Sequence, residues 1–170
     1  MSAALVLLHT VSRLGRVTEA YFREATAPFG VDQSEAAVLT MLMNAPDRTL
    51  SPTRLGEALV QTSPGMAATL NRLDQKGLID RHRDPNDGRR RLVHLAPQGQ
   101  VLVEDLLTTL LAAFEELFGS SEEGCDALAA GLQTVLNGLE LAGGHRSSAA
   151  LAPALRGMAS NRCVPQEKPA

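Results

Sequence analysis

Residues 81–95, RHRDPNDGRRRLVHL, restrict the fold of this chain more than any other stretch. Their centre, Asp84-Pro85-Asn86-Asp87-Gly88, is made of turn-forming residues. An apolar-polar alternation, Leu92-Val93-His94-Leu95, follows at once. Five arginines and two histidines surround the turn. This is the pattern of a β-hairpin with a basic tip, with strands near 78–83 and 90–96. A helix-like segment, Ser63 to Lys76, lies just upstream. A helix followed by a basic hairpin is a device for gripping duplex DNA.

The remaining segments read as helices. Over residues 4–27, Leu7, Val11, Leu14, Thr18 and Tyr21 recur at steps of three and four, with Leu8 and Phe22 widening the stripe. Pro28 and Gly30 end that helix. Asp32 and Glu35 form a capping pair for the next, 33–44, which buries Ala36, Leu39 and Met43, with Val38 and Leu42 as further candidates. Asn44-Ala45-Pro46-Asp47 is a turn. Ser51-Pro52 starts a short helix to about residue 60, with Leu55, Ala58 and Leu59 apolar. Ser63-Pro64 is a second start of the same type, and it opens a helix with Met66, Thr69, Leu70 and Leu73 on one face and Gly77 as its terminator. Two helices joined by a few residues make a helix-turn-helix.

Two leucine-rich helices follow the hairpin. The first opens at Pro97 and runs to about Phe118, with Leu102, Leu106, Leu110 and Leu117. The second is capped by Ser120 and Glu123 and runs to about Leu141, with Leu128, Leu132, Val135, Leu136 and Leu139. Apolar stripes of that length at both ends of the chain predict a second copy to cover them. The tail from His145 carries Pro153, Pro165 and Pro169 and reads as mostly disordered, with a short helix near 148–158 as the exception.

The net charge of −3 runs against DNA binding, but its distribution does not. Arg72, Lys76, Arg81, Arg83, Arg89, Arg90 and Arg91 fall in one window with four acids, whereas residues 92–145 hold eight acids and no Lys or Arg. Polyanion binding follows the local field. With aromatics at 3%, stacking on single strands is a poor basis for function. Cys125 and Cys163 form no metal or disulfide motif, which fits a reducing cytoplasm. His9, His82, His94 and His145 have no metal-ligand spacing, so neither a metal nor a cofactor is expected. The N-terminal apolar run is too short to span a bilayer and has no basic leader, so no membrane partner is expected. No nucleophile elbow, metalloprotease motif or phosphate loop is present, which points away from catalysis and leaves no catalytic residues to name.

The non-core side of the Ser63–Lys76 helix offers Ser63, Gly65, Ala67, Ala68, Asn71, Arg72 and Gln75 to a major groove. Thr62, Ser63, Asn71 and Arg72 are the hydrogen-bonding candidates. Arg72 serves equally well in a salt bridge inside the domain, to a hairpin acid for instance. Ala67 and Ala68 allow only apolar contacts, such as thymine methyls. At the hairpin tip, Arg89, Arg90 and Arg91 alternate sides, so not all can enter one groove. An arginine in a narrow minor groove gains from the concentrated potential there. Asp87 either orients such an arginine or caps the turn. Arg54 is a candidate phosphate contact.

The stretch SPTRLGEALVQTSPGMAATLNRLDQKGLIDRHRDPNDGRRRLVHLAPQG resembles the winged helix-turn-helix core of the MarR family of bacterial transcriptional regulators. The run RLDQKGLIDR and the hairpin DPNDGRRRLVHLAPQG carry the resemblance, which covers about residues 5–141. It implies a mostly α fold with a small β-hairpin wing: a winged helix-turn-helix at 31–96, flanked by dimerisation helices at 1–30 and 97–141; composition leaves 142–170 as a largely disordered tail. It implies a homodimer on a pseudo-palindromic operator of double-stranded DNA, with Arg89 in the minor groove held by Asp87. Pro64 and Gly65 stand in the recognition helix beside Ser63. The resemblance further implies a cleft for small aromatic or phenolic effectors between the dimerisation helices and the winged domain, with His9, Arg16 and Met41 as candidate lining. A ligand-responsive repressor is the reading this favours. The alternatives are a winged-helix module that binds protein and not DNA, and a regulator that senses oxidation through cysteine. Peroxide-sensing members keep their reactive cysteine near the start of the first helix, where this chain has none. The long tail after Leu141 departs from the family pattern.

Overall fold

The computed structural model describes residues 2–84, 87–88, 90–118 and 122–143. The chain runs α1 (Ala3–Thr26), α2 (Gln33–Met43), β1 (Thr49–Leu50), α3 (Pro52–Ala58), α4 (Ser63–Gln75), β2 (Ile79–Arg83), β3 (Arg91–Leu95), α5 (Pro97–Phe118) and α6 (Glu122–Gly143). The expected helix order holds throughout, and the fold is the expected mostly helical one with a small antiparallel sheet. A 3-10 turn, Ala27–Phe29, continues α1 and stops at Gly30, whose φ of 68° suits a residue without Cβ.

Local chemistry accounts for most boundaries. Asp32 and Glu35 form the full reciprocal capping box of α2. Ser51 caps α3, with Pro52 in its first turn. The start of α4 differs from expectation by one residue. Thr62 is the N-cap, its Oγ1 accepting from Gly65 N at 3.3 Å, and Ser63 is the first helical residue. Thr and Ser are nearly equivalent caps, so the choice lies with backbone geometry. Gly77, at φ 67°, follows the last turn of α4.

The core gathers Val38, Leu39 and Leu42 of α2, Leu55 of α3, Met66, Leu70 and Leu73 of α4, Ile79, Val93 and Leu95 of the hairpin, and Val103 and Leu106 of α5. Met43 is only partly buried, while Val38 and Leu42 are fully buried. The sheet has one strand beyond the hairpin. The two-residue β1 pairs with β3, with Thr49 opposite His94 and Leu50 opposite Val93, so β3 is central. In the hairpin, Ile79 faces Leu95, Arg81 faces Val93 and Arg83 faces Arg91. Period-two alternation puts Ile79, Arg81 and Arg83 on one face, which therefore passes from apolar at its root to basic at its tip.

The terminal helices leave much of their apolar surface uncovered. Leu5, Leu7, Leu8, Leu14 and Val17 of α1, Leu111 and Phe114 of α5, and Leu128, Leu132, Leu136 and Leu139 of α6 are exposed. Tyr21 and Phe22 of α1 meet Phe114 of α5 with ring centroids 5.9 and 6.3 Å apart, which ties the two helices together. No described helix is long and apolar enough to cross a membrane.

Candidate nucleic-acid interface

Helix α4 has two faces of different chemistry. Met66, Thr69, Leu70 and Leu73 are buried, the four positions its periodicity marked. Ser63, Pro64, Gly65, Ala67, Ala68, Asn71 and Arg72 are exposed on the other side. Thr69 is the polar member of the buried face, and its Oγ1 donates to Gly65 O at 3.1 Å.

Two of the polar candidates are engaged within the protein. Arg72 donates from Nε to Glu35 Oε1 at 3.1 Å and from Nη2 to Asp32 Oδ2 at 2.7 Å. Of the two roles the sequence allowed this residue, the internal salt bridge is the one seen, but with α2 acids in place of a hairpin acid. Lys76, one helical turn later, donates from Nζ to Glu35 Oε2 at 2.6 Å and to Gly30 O at 2.9 Å. Glu35 is 1% exposed, so this carboxylate is a buried junction between the start of α2 and the end of α4. Burial by itself would lower the pKa of Arg72. The Glu35 hydrogen bond and the charges of Asp32 and Glu35 outweigh it, and the net shift is upward. Asn71 accepts through Oδ1 from Arg81 Nη2 at 2.9 Å. Arg81 also lies 3.7 Å from Asp74 through Nε, so β2 is tied to α4.

The sequence reading missed Glu35 and Lys76 as fixtures of this surface. The available signal was the i,i+4 spacing of Arg72 and Lys76, which puts both cations on one helix face and calls for a facing acid.

At the tip, Asp84 N donates to Arg90 O at 3.0 Å and Arg90 N to Asp87 O at 2.8 Å, closing the turn through backbone. The Asp87 carboxylate lies 3.5 Å from Arg90 Nε. The expected partner, Arg89, lies outside the described residues, as do Pro85 and Asn86. Arg54 of α3 lines one concavity of about 810 Å³ together with Arg90 and Arg91, where Glu57 and Asp84 also contribute. Arg83, opposite Arg91, adds a basic group that was not among the candidates. The described residues thus collect Arg54 and the basic strand ends around one concavity, while Ser63 and Ala67 of α4 line a neighbouring one that shares Pro52, Thr53 and Glu57 with it.

His9 and Arg16 are exposed along α1, and Met41 packs partly against the core. None of the three lines the concavity above, nor a second cavity of about 420 Å³ between α3, α4 and β2, lined by Gln61, Met66, Leu70 and Arg81 among others. The structure of one chain therefore does not bring the expected cleft residues together in either cavity. Cys125 is exposed on α6, while Cys163, Ser120, His145 and the tail helix near 148–158 fall outside the described residues.

Comparison with known proteins gives one consistent result. Residues 29–90 match the model of the MarR family. A curated relative, the uncharacterized HTH-type transcriptional regulator YdgJ of Bacillus subtilis (strain 168), is 30% identical over 98 residues, 58% of this chain and 57% of its own length. The match thus spans little more than half of that relative. Among solved structures, the transcriptional regulator BldR from Sulfolobus solfataricus aligns with a TM-score of 0.70 at 21% identity, over 81% of this chain and 99% of its own. A mutant MarR from E. coli complexed with operator DNA aligns at 0.67 and 22% identity, over 78% and 95%. At these identities the structural likeness establishes the fold.

Proposed function

We propose, starting from a chain whose residues 29–90 match the MarR family model, that it is a sequence-specific DNA-binding transcriptional regulator of that family, a ligand-responsive repressor acting as a homodimer on a pseudo-palindromic operator. The observation that carries this reading is the exposed face of α4 lying beside a hairpin whose tip-ward end is basic, with Arg54, Arg90 and Arg91 around one concavity. A helix of this size fits a major groove, and the hairpin then reaches the flanking backbone or minor groove.

In this reading the α4 N-terminal turn, Thr62, Ser63, Pro64, Gly65 and Ala67, faces the bases, with Asn71 and Arg72 farther along the same helix. Arg54, Arg90 and Arg91 meet phosphates, and Arg89 enters the minor groove beside Asp87. Residues 31–96 form the DNA-binding unit. Residues 1–30 and 97–141 form the dimerisation region, supported by the exposed apolar stripes of α1, α5 and α6. A small aromatic or phenolic effector bound between the two regions, near His9, Arg16 and Met41, favours a dimer whose α4 spacing no longer matches the operator.

The test is a gel shift with DNA from upstream of the protein's own gene, against random duplex at physiological salt. Tighter retention of the upstream DNA is expected. Equal retention would remove sequence-specific regulation and favour a winged-helix module for protein partners.

A further inference from the structure

Three of the side chains at α4 equipped to read bases by hydrogen bonding, Thr62, Asn71 and Arg72, are already committed inside the protein. A guanine is read by two N–H groups of one guanidinium fork, and an adenine by an amide that offers nitrogen and oxygen together. Arg72 spends the Nε–Nη2 side of its fork on Glu35 and Asp32, which holds the guanidinium against the start of α2. Freeing the fork would take a partner from a carboxylate that is 1% exposed. Asn71 uses its oxygen on Arg81, which leaves its amino group only. Thr62 Oγ1 serves the cap. Beside the Ser63 hydroxyl, what the N-terminal half of α4 still presents is small and apolar. Pro64, Ala67 and Ala68 are exposed, and their i, i+3, i+4 spacing puts them together over successive turns.

We propose that α4 discriminates bases by the 5-methyl group of thymine, packed against Pro64, Ala67 and Ala68, and not by a hydrogen-bond code. This rests on the DNA-binding reading above. In the major groove the thymine methyl is the one apolar mark on a base edge. An alanine methyl against it removes apolar area from water. The same alanine against guanine O6 or cytosine N4 strips water from a polar atom and returns no hydrogen bond. A face of such small groups therefore both rewards thymine and rejects the alternatives, and it lets the helix backbone approach the groove floor closely.

Duplexes enriched from a random library by the full chain provide the test. Thymines in the enriched half-site are replaced singly by deoxyuridine, which lacks only the methyl. Affinity should fall about four-fold at each contacted thymine, the scale of one buried methyl-sized group. Ala67→Ser and Ala68→Ser, which keep the helix surface small, should blunt that sensitivity. Replacing guanines by 7-deazaguanine, which lacks the N7 acceptor, should change affinity by less than about two-fold. Deoxyuridine duplexes that bind as tightly as thymine duplexes, or a large loss with 7-deazaguanine, would overturn the proposal while leaving DNA recognition standing. A library that yields no enriched sequence would overturn both.

Discussion

The guanidinium of Arg72 meets the buried carboxylate of Glu35 at 3.1 Å, across 37 residues of sequence, and so joins the end of α4 to the start of α2. Arg72 is consequently a stability residue whatever it does on DNA. Arg72→Met keeps the aliphatic stem and removes the charge, leaving Glu35 with Lys76 alone. Removing one partner of a buried pair costs about 3–5 kcal/mol; the remaining lysine and the 44% exposure of Arg72 argue for a smaller loss, about 2–3 kcal/mol. Its folded pKa is raised, so its contribution is fully present below the ordinary arginine value and is lost only as pH rises through the higher folded one. The loss in the variant should therefore be the same at every neutral pH. Urea midpoints at two pH values check this, and an unchanged midpoint would return Arg72 to the role of a free surface cation.

Gly99 is a second fixed point. A Cβ there would overlap the Leu78 carbonyl oxygen and stand 3.0 Å from Leu95 Cδ1, because the first turn of α5 crosses tightly over the start of the hairpin. The obstacle is backbone, so no rotamer relieves it. Gly99→Ala should destabilise by about 3 kcal/mol or more, the upper range for overpacking. A thermal melt decides the matter: a variant that melts with the wild type would mean that α5 can lift off the hairpin at little cost.

Val60 sits in the turn between α3 and α4 with φ at 51°. A β-branched residue in that region is strained, on the order of 1–3 kcal/mol. With 60% of its surface exposed, it recovers little by burial. Val60→Gly removes the strain but adds chain entropy to the unfolded state, so a net gain of about 0.5–1 kcal/mol is expected. The urea midpoint should rise with the slope unchanged; a fall would show that Val60 makes a contact worth more than its strain.

The contrast between these residues shows what the sequence discloses. The buried face of α4 was legible because Met66, Thr69, Leu70 and Leu73 repeat with the period of one helix, and that period needs no knowledge of the partner. Asp32 and Glu35 were legible as a capping box for the same reason: both groups lie within four residues. The second role of Glu35 was not, because its cations come from α4 and nothing local distinguishes a capping glutamate from one that is also buried. Strand β1 escaped because two residues cannot display an alternation. Gly99 looked like an ordinary helix residue, since its constraint comes from Leu78, on the other side of the hairpin.

Arg83 and Arg91 occupy opposite positions at the turn end of the hairpin, both exposed. Like charges in directly opposed positions destabilise a strand pair by about 0.2–1 kcal/mol. A nearby phosphate would turn that repulsion into attraction. Arg83→Thr should therefore stabilise the free protein by a few tenths of a kcal/mol, on the order of the same pair energy. The same change should weaken DNA binding uniformly across sequences and lower the slope of log affinity against log salt by about 1. Arg91→Ser should behave alike. Arg89→Ala is expected to differ: if Arg89 reads minor-groove width, its loss of about 1–3 kcal/mol should depend on the flanking sequence as well as on salt. Titrations at three salt concentrations on two duplexes with different A-tract content separate the two behaviours. A stability gain for Arg83→Thr with no change in salt slope would mean that the paired arginines repel each other without ever meeting a phosphate.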